Sequence, residues 1–370
     1  MLADTLITKP LFPNLRDLES DWGPETRHLS HIPFPSLTQV FIRPDELDGF
    51  KDMLESFAKF SPNLKRLHIE ATYITFQIGL DIDALVHLSH MPALSNLAFT
   101  LDPTLPALDS PLLFSNLHHL ALRSQGLHLI SKFLSHSQLP AIISFKVSIG
   151  SCPSRQELSS FLSGILMSGA GQTIEELALD GSSGEDGEDD EDDRDFLRSE
   201  TLMLGMEDLE PCLAFSNINV FQLEIGWKVD LKDSGLLALA SSWPGLKVFE
   251  INKYHFGWHT QDGITPDGLL QLAQRCPSLS SISVALDTRG YIALPASGLL
   301  QLTNLTSERP ILIDVIESKI EAESVPAIAA FFAGTPRSTV DLGSNCGQYR
   351  DRWNDVRELM GLPKLHYCRC

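Results

Sequence analysis

The chain has 370 residues, an ordinary 43% hydrophobic share and a net charge of −20. That charge argues against nucleic acid as a partner, because such a binder needs a basic surface to displace counterions. No apolar run approaches the ~18 residues needed to cross a bilayer, so no membrane association is expected.

The start, MLADTLITKPLFPNL, has neither the basic opening nor the apolar core of a signal peptide. The six cysteines, Cys152, Cys212, Cys276, Cys346, Cys368 and Cys370, show no disulfide-framework spacing. Together these predict a reducing compartment, cytoplasmic or nuclear.

The chain opens inside a repeat, at LFPNLRDL, and an apolar solenoid end normally carries a cap. The expectation is a truncated start, or a further domain or partner covering that end. Downstream, residues 46–59 place Phe50, Met53, Leu54 and Phe57 on one helical face, and residues 81–90 and 127–138 are shorter versions. Residues 155–168 repeat the stripe with Leu158, Phe161, Leu162 and Ile165.

An acidic run follows, GEDGEDDEDDRD from Gly184 to Asp195. It self-repels and cannot bury apolar area, which predicts a disordered insertion near 182–197. Helices at Lys232–Ser242 and Thr265–Arg275 share G-L-L-x-L-A, and a third copy, G-L-L-Q-L, runs from Gly298 to Leu302. Thr265 is suited to cap its helix, with Pro266 in the first turn, and Cys276-Pro277 stops it. A helix around Val325–Phe332 closes the series, and Gln348–Met360 reads as a capping helix with Trp353, Val356, Leu359 and Met360 on one face.

Between these helices one pattern returns. An apolar residue opens L-x-x-L-x-L at Leu15, Leu37, Leu64, Leu94, Leu117, Ile142, Ile174, Ile218, Leu246, Leu279 and, degraded, Leu312. Proline stands two residues earlier at Pro13, Pro35, Pro62, Pro92, Pro244, Pro277 and Pro310. The last two apolar positions alternate, which is strand periodicity. One short strand and one returning helix per period cannot bury their apolar sides alone; stacking on a like unit does so. The expected fold is therefore α/β: a leucine-rich-repeat solenoid, or horseshoe, with parallel strands on the concave face and helices on the convex face. About ten to eleven irregular repeats would fill 1–336, and 337–370 would form a C-terminal cap.

Strand pleating sends alternate residues to opposite sides. If the anchor and the third and fifth residues after it face the core, the second, fourth and sixth face the concave surface. For strands two to six that surface holds Arg43, Arg66, His68, His119, Arg123 and Lys146 against one acid, Glu70. For strands seven to nine it holds Glu176, Asp180, Glu224 and Glu250. Arginine forks suit carboxylates and phosphates, so an acidic or phosphorylated partner segment is expected on strands two to six. A second expected surface is an aromatic rim on the loops after C-terminal strands: Trp227, Tyr254, Phe256, Trp258 and Tyr291. The acidic insertion is also expected to compete for the basic half, with Ser182 and Ser183 as acidic-directed phosphorylation positions.

No phosphate-binding loop, H-E-x-x-H, G-x-S-x-G or dinucleotide-binding glycine pattern is present. The tail HYCRC, with His366, Cys368 and Cys370, lacks a zinc-finger spacing. Neither an enzyme nor a metal or other cofactor is expected.

The stretch TPDGLLQLAQRCPSLSSISV resembles the cysteine-containing leucine-rich repeat of F-box proteins, with Cys276-Pro277 as its most specific piece. The openings LFPNLRDL and FPSLTQVFI and the tail Arg352-Trp353-Asn354-Asp355-Val356-Arg357-Glu358-Leu359 resemble the repeat region of basidiomycete F-box proteins. The resemblance implies a receptor whose F-box docks on the adaptor of a cullin-RING ubiquitin ligase while the repeats hold the protein substrate. The F-box pattern itself, L-P-x-E/D-[IVL], is not found, so the adaptor is an expected partner where an F-box is supplied upstream. The alternative expectation is a stand-alone leucine-rich-repeat scaffold or inhibitor with no ligase link.

Overall fold

The computed structural model describes residues 12–23, 32–44, 50–70, 80, 82–103, 111–181, 202–253, 257–258, 262–291, 311–316, 318–333 and 349–364. The acidic insertion with Ser182 and Ser183, the third G-L-L-Q-L copy, Cys346 and the HYCRC tail lie outside the described residues. The chain divides into two compact units, Met1–Glu176 and Leu177–Cys370.

In the first unit, strands β1 (Asp17–Trp22), β2 (Gln39–Pro44), β3 (Arg66–Ile69), β4 (Asn96–Thr100), β5 (His119–Ser124) and β6 (Ser144–Ile149) pair in chain order, all parallel. Helices α1 (Phe50–Phe60), α2 (Ile82–Ser89), α3 (Leu127–Ser135) and α4 (Arg155–Met167) return the chain between strands. The L-x-x-L-x-L residues of β3 to β6, from Leu64 to Val147, fill the core, none more than 6% exposed. The first anchor, Leu15, is only half-buried.

The helical stripes read from sequence face that core. Met53, Leu54 and Phe57 are buried on α1, and Leu158, Phe161, Leu162 and Ile165 on α4. Ser154 starts α4 with a capping box: its hydroxyl accepts the Glu157 N–H at 3.3 Å and its own N–H donates to the Glu157 carboxylate at 2.8 Å. Turns lock coil to coil as well. The amide nitrogens of Asn63 and Asn116 donate to the carbonyls of Pro35 and Pro92, one coil earlier, at 3.1 and 2.8 Å. A two-residue ladder between Leu112–Leu113 and Ser137–Gln138 adds a second, unforeseen pairing.

The second unit repeats the plan. β7 (Glu176–Asp180) enters it from the last residue of the first, and β8 (Val220–Glu224), β9 (Val248–Ile251), β10 (Ser281–Ser283) and β11 (Leu312–Asp314) follow in parallel order. Its helices are α5 (Asp233–Ser242), α6 (Pro266–Arg275), α7 (Val325–Ala333) and α8 (Arg350–Leu359). The cap foreseen at Thr265 forms, its hydroxyl accepting the Gly268 N–H at 3.1 Å. That hydroxyl and the Thr265 N–H also reach the Asp233 carboxylate of α5, at 2.7 and 2.8 Å. Cys276 ends α6 and is buried, its thiol directed at the carbonyls of Ala240 (3.8 Å) and Trp243 (3.4 Å).

Two details depart from the sequence reading. The register pairs Ser281 with Leu312 and Ile282 with Ile313, so Leu312 sits on the outer face, 38% exposed, while Ile313 and Val315 enter the core. The degraded anchor is therefore two residues out of step. On α8, Trp353 and Val356 are buried but Leu359 is 62% exposed, and Arg357 takes the inner position. At about 100° per residue, Arg357 lies roughly 40° from Trp353 around the helix and Leu359 roughly 120° away. The Arg357 guanidinium satisfies itself on the Pro363 carbonyl at 2.7 Å, and Trp353 donates to the Ser318 carbonyl at 2.8 Å.

Candidate functional site

The parallel register lines the outward residues of the first unit into rows. One row runs Gln39, Arg66, Asn96, His119, Ser144; the next runs Phe41, His68, Ala98, Ala121, Lys146; and Thr100, Arg123 and Ser148 belong to a third. Two neighbouring alanines in the middle row leave a hollow, because the strands on either side carry long polar side chains there. The result is an open groove of about 340 Å³ lined by Arg66, His68, Asn96, Ala98, His119, Ala121, Ser144, Lys146 and Glu176 over a floor of strand leucines. Four of the six basic residues expected on this face therefore line one groove, and Arg123 stands in the adjoining row.

The electrostatics differ from end to end. At one end Lys146 pairs with Glu176 at 2.8 Å, and the Ser144 hydroxyl donates to the same carboxylate at 2.5 Å. Burial works to raise the Glu176 carboxyl, but the hydrogen bonds from Lys146 and Ser144, with the Lys146 and His119 charges, outweigh it and hold Glu176 below the usual glutamate value. At the other end Arg66 donates to the neutral Gln39 carboxamide at 3.1 Å, and the Arg123 guanidinium has no hydrogen bond or ion pair among the described residues. His68 rests against the Phe41 ring, centroids 4.6 Å apart. Desolvation lowers the His68 value below that of a free imidazole; Glu70 opposes this, and Arg123 and Arg43 reinforce it.

Arg43 stands apart. It contacts Glu19 at 3.2 Å and Asp21 and Glu70 at 3.5 Å, and covers the Phe41 ring at 4.6 Å. Its charge is thus committed within the chain. In the second unit, two of the foreseen acidic positions, Glu224 and Glu250, are also committed within the chain, while Asp180 stays exposed. Glu250 is buried, accepting from Gln222 at 2.7 Å and Lys253 at 3.1 Å, and Glu224 accepts the Lys253 N–H at 2.6 Å.

Among the described residues, the aromatic positions do not assemble as an exposed rim. Trp227 and Trp258 are 2% and 8% exposed, the latter bridged in parallel to Val229, because the loops fold back into the repeat. Tyr291 is half-buried, and its hydroxyl accepts the Asp267 N–H at 3.2 Å in the first turn of α6. Tyr254 and Phe256 lie outside the described residues.

Sequence reasoning passed over Asn252. It adopts a left-handed backbone, φ 46°, and is 1% exposed. Its side chain accepts the Ile225 N–H at 2.9 Å and donates to the Trp227 carbonyl at 2.6 Å, holding the loop after β8. The available signal was its place at the end of a strand, where asparagine tolerates such a backbone. Among the described residues, no cluster of three or more His, Cys, Asp or Glu could hold a metal ion, and no helix is long and apolar enough to cross a membrane.

No protein-family model matches the chain, and no curated protein does. Among solved structures, the chain is similar to one in the "Crystal structure of Rad7 and Elc1 complex in yeast", at 14% identity and a TM-score of 0.41, over 90% of this chain and 76% of that one. It is also similar to one in the "Crystal structure of TLR13-ssRNA13 complex", at 13% identity and a TM-score of 0.37, over 90% of this chain and 48% of that one, about half its length.

Proposed function

We propose that the chain is a non-enzymatic recognition protein that holds a protein partner on the outward face of its strands. The observation behind this is the division of labour along each strand. Core residues alternate with outward polar ones, and the outward ones converge on an open groove whose side chains are binding groups rather than a nucleophile with its base. Arginine, histidine, serine and asparagine on a rigid sheet offer hydrogen bonds at fixed positions, as recognition requires.

The finer reading is the substrate-binding part of an F-box-type ubiquitin-ligase receptor. The cysteine-ended repeat supports it: Cys276 is buried and anchors α6 to the end of α5. The test is reconstitution. A full-length chain carrying any upstream segment should bind a purified cullin-RING adaptor and direct ubiquitin to a partner cross-linked at the groove. A partner captured without adaptor binding would instead assign a stand-alone scaffold or inhibitor.

A further inference from the structure

The geometry points to an extended, carboxylate-rich protein segment as the occupant of the groove, docked on Arg66 and Arg123. This rests on the strand face being the recognition surface. The groove already displays its own chemistry: at the β6 end a carboxylate, Glu176, sits on Lys146 and Ser144. The β3 and β5 side offers basic donors that meet no carboxylate among the described residues. Arg66 contacts only a neutral carboxamide, and Arg123 contacts neither acid nor carbonyl among the described residues.

The absence of internal neutralisation there is selective. Arg43, on the adjacent strand, holds three carboxylates of its own. In a chain of net charge −20, two guanidinium groups of one face that meet no acid among the described residues run against the composition. Guanidinium forks match carboxylates with two parallel bonds. Ala98 and Ala121 lie between them and keep the floor low enough for a backbone to pass. The segment runs across the strands, so acidic side chains alternate toward the floor while the others face solvent. His68 and His119 supply ring nitrogens along the same path.

The probe is a fluorescent Glu-Gly repeat peptide, followed by anisotropy with the full chain. It should bind, weaken as salt rises from roughly 0.1 M to 1 M, where the Debye length falls from about 10 Å to about 3 Å, and be replaced by no signal for a Gln-Gly peptide. Arg66→Gln with Arg123→Gln should weaken binding roughly tenfold, the scale of two lost solvent-screened ion pairs. The same charge removed at Lys59→Gln with Lys247→Gln should not, and Arg66→Lys with Arg123→Lys should fall between the intact chain and the Gln pair, because lysine keeps the charge but not the fork. Circular dichroism should show all variants folded. Equal binding by the Arg→Gln pair, or binding of a phosphoserine peptide with none of the glutamate peptide, overturns the assignment. A protein partner that cross-links equally to intact chain and Arg→Gln pair overturns it while leaving the recognition reading intact. A chain that binds the glutamate peptide but cross-links no protein partner upholds the groove and removes that reading.

Discussion

Replacing Asn252 by alanine tests how the loop edge of the second unit is held. Two buried backbone groups, the Ile225 N–H and the Trp227 carbonyl, lose their partner. Each buried group left unmet costs about 1–3 kcal/mol, so the pair amounts to about 2–6 kcal/mol. Alanine adds a strain term, because φ is 46° at this position and a left-handed residue with a Cβ costs roughly 1–2 kcal/mol. Asparagine largely escapes that term and glycine removes it. Asn252→Gly should therefore be milder than Asn252→Ala by roughly the strain alone. Asn252→Asp keeps the acceptor for Ile225 but turns an oxygen toward the Trp227 carbonyl, and should fall with alanine rather than glycine. Urea unfolding followed by tryptophan fluorescence reports all three, since Trp227 lies at the bond. A loss below about 0.5 kcal/mol for alanine, or glycine worse than alanine, would refute the reasoning.

Other outcomes follow from the same geometry. Leu246 is fully buried, so Leu246→Ala should cost about 2–5 kcal/mol in the same assay, and a loss under about 0.5 kcal/mol would misplace its strand. Gly268→Ala should destabilise even though alanine favours helices, because its Cβ would stand 1.8 Å from an Asp233 carboxylate oxygen; an Asp233→Ala background should remove most of the loss, and additivity would exclude the clash. Glu157 and Glu176 are held below the usual glutamate value of about 4.5, Glu157 by Ser154 and His128 acting against burial. The unfolded chain therefore binds more protons, so their stabilisation is present above about pH 4.5 and lost as pH falls through the folded values; an unfolding midpoint that stays flat from pH 6 to pH 3 would contradict this. Burial pushes the Cys276 thiol up to about 11 against the opposing Arg275 charge, and Cys212 is raised further, so at pH 8 iodoacetamide should label half-buried Cys152 before Cys212 and Cys276. Early modification of Cys276 by mass spectrometry would show that its repeat opens in the native state.

The repeat was legible because its punctuation is local. Proline, anchor and alternation are written within a few residues, and the strands from β3 to β10 fall where that pattern puts them. It failed at Leu312, where Ile311, Leu312 and Ile313 are all apolar and alternation no longer separates inside from outside. The basic face was legible for the same reason as the strands. What sequence could not supply was which charges are spent inside the chain. Arg43 and Arg66 read alike in sequence as outward bases on neighbouring strands, yet Arg43 meets Glu19, Asp21 and Glu70 and Arg66 meets none of them. The aromatic residues misled because a tryptophan in a loop reads as exposed until the loop's fold-back is known. Trp227 and Trp258 return to the interior.

The rows across the first unit form a vernier against any extended chain laid over them. Strands recur about every 4.8 Å, whereas same-side residues of an extended peptide recur about every 6.8 Å. The two periods disagree at one strand and at two, and nearly coincide at three: about 14.4 Å across the sheet against about 13.6 Å along the peptide. Three steps are the separation of His68 on β3 from Lys146 on β6, which share a row. A chain crossing this face at right angles can thus keep two side chains in step with one row only when they stand four residues apart, whereas a path from Arg66 to Arg123, two strands over and in another row, is diagonal. The spacing of the sheet sets that number, and substitutions confined to the groove leave it unchanged.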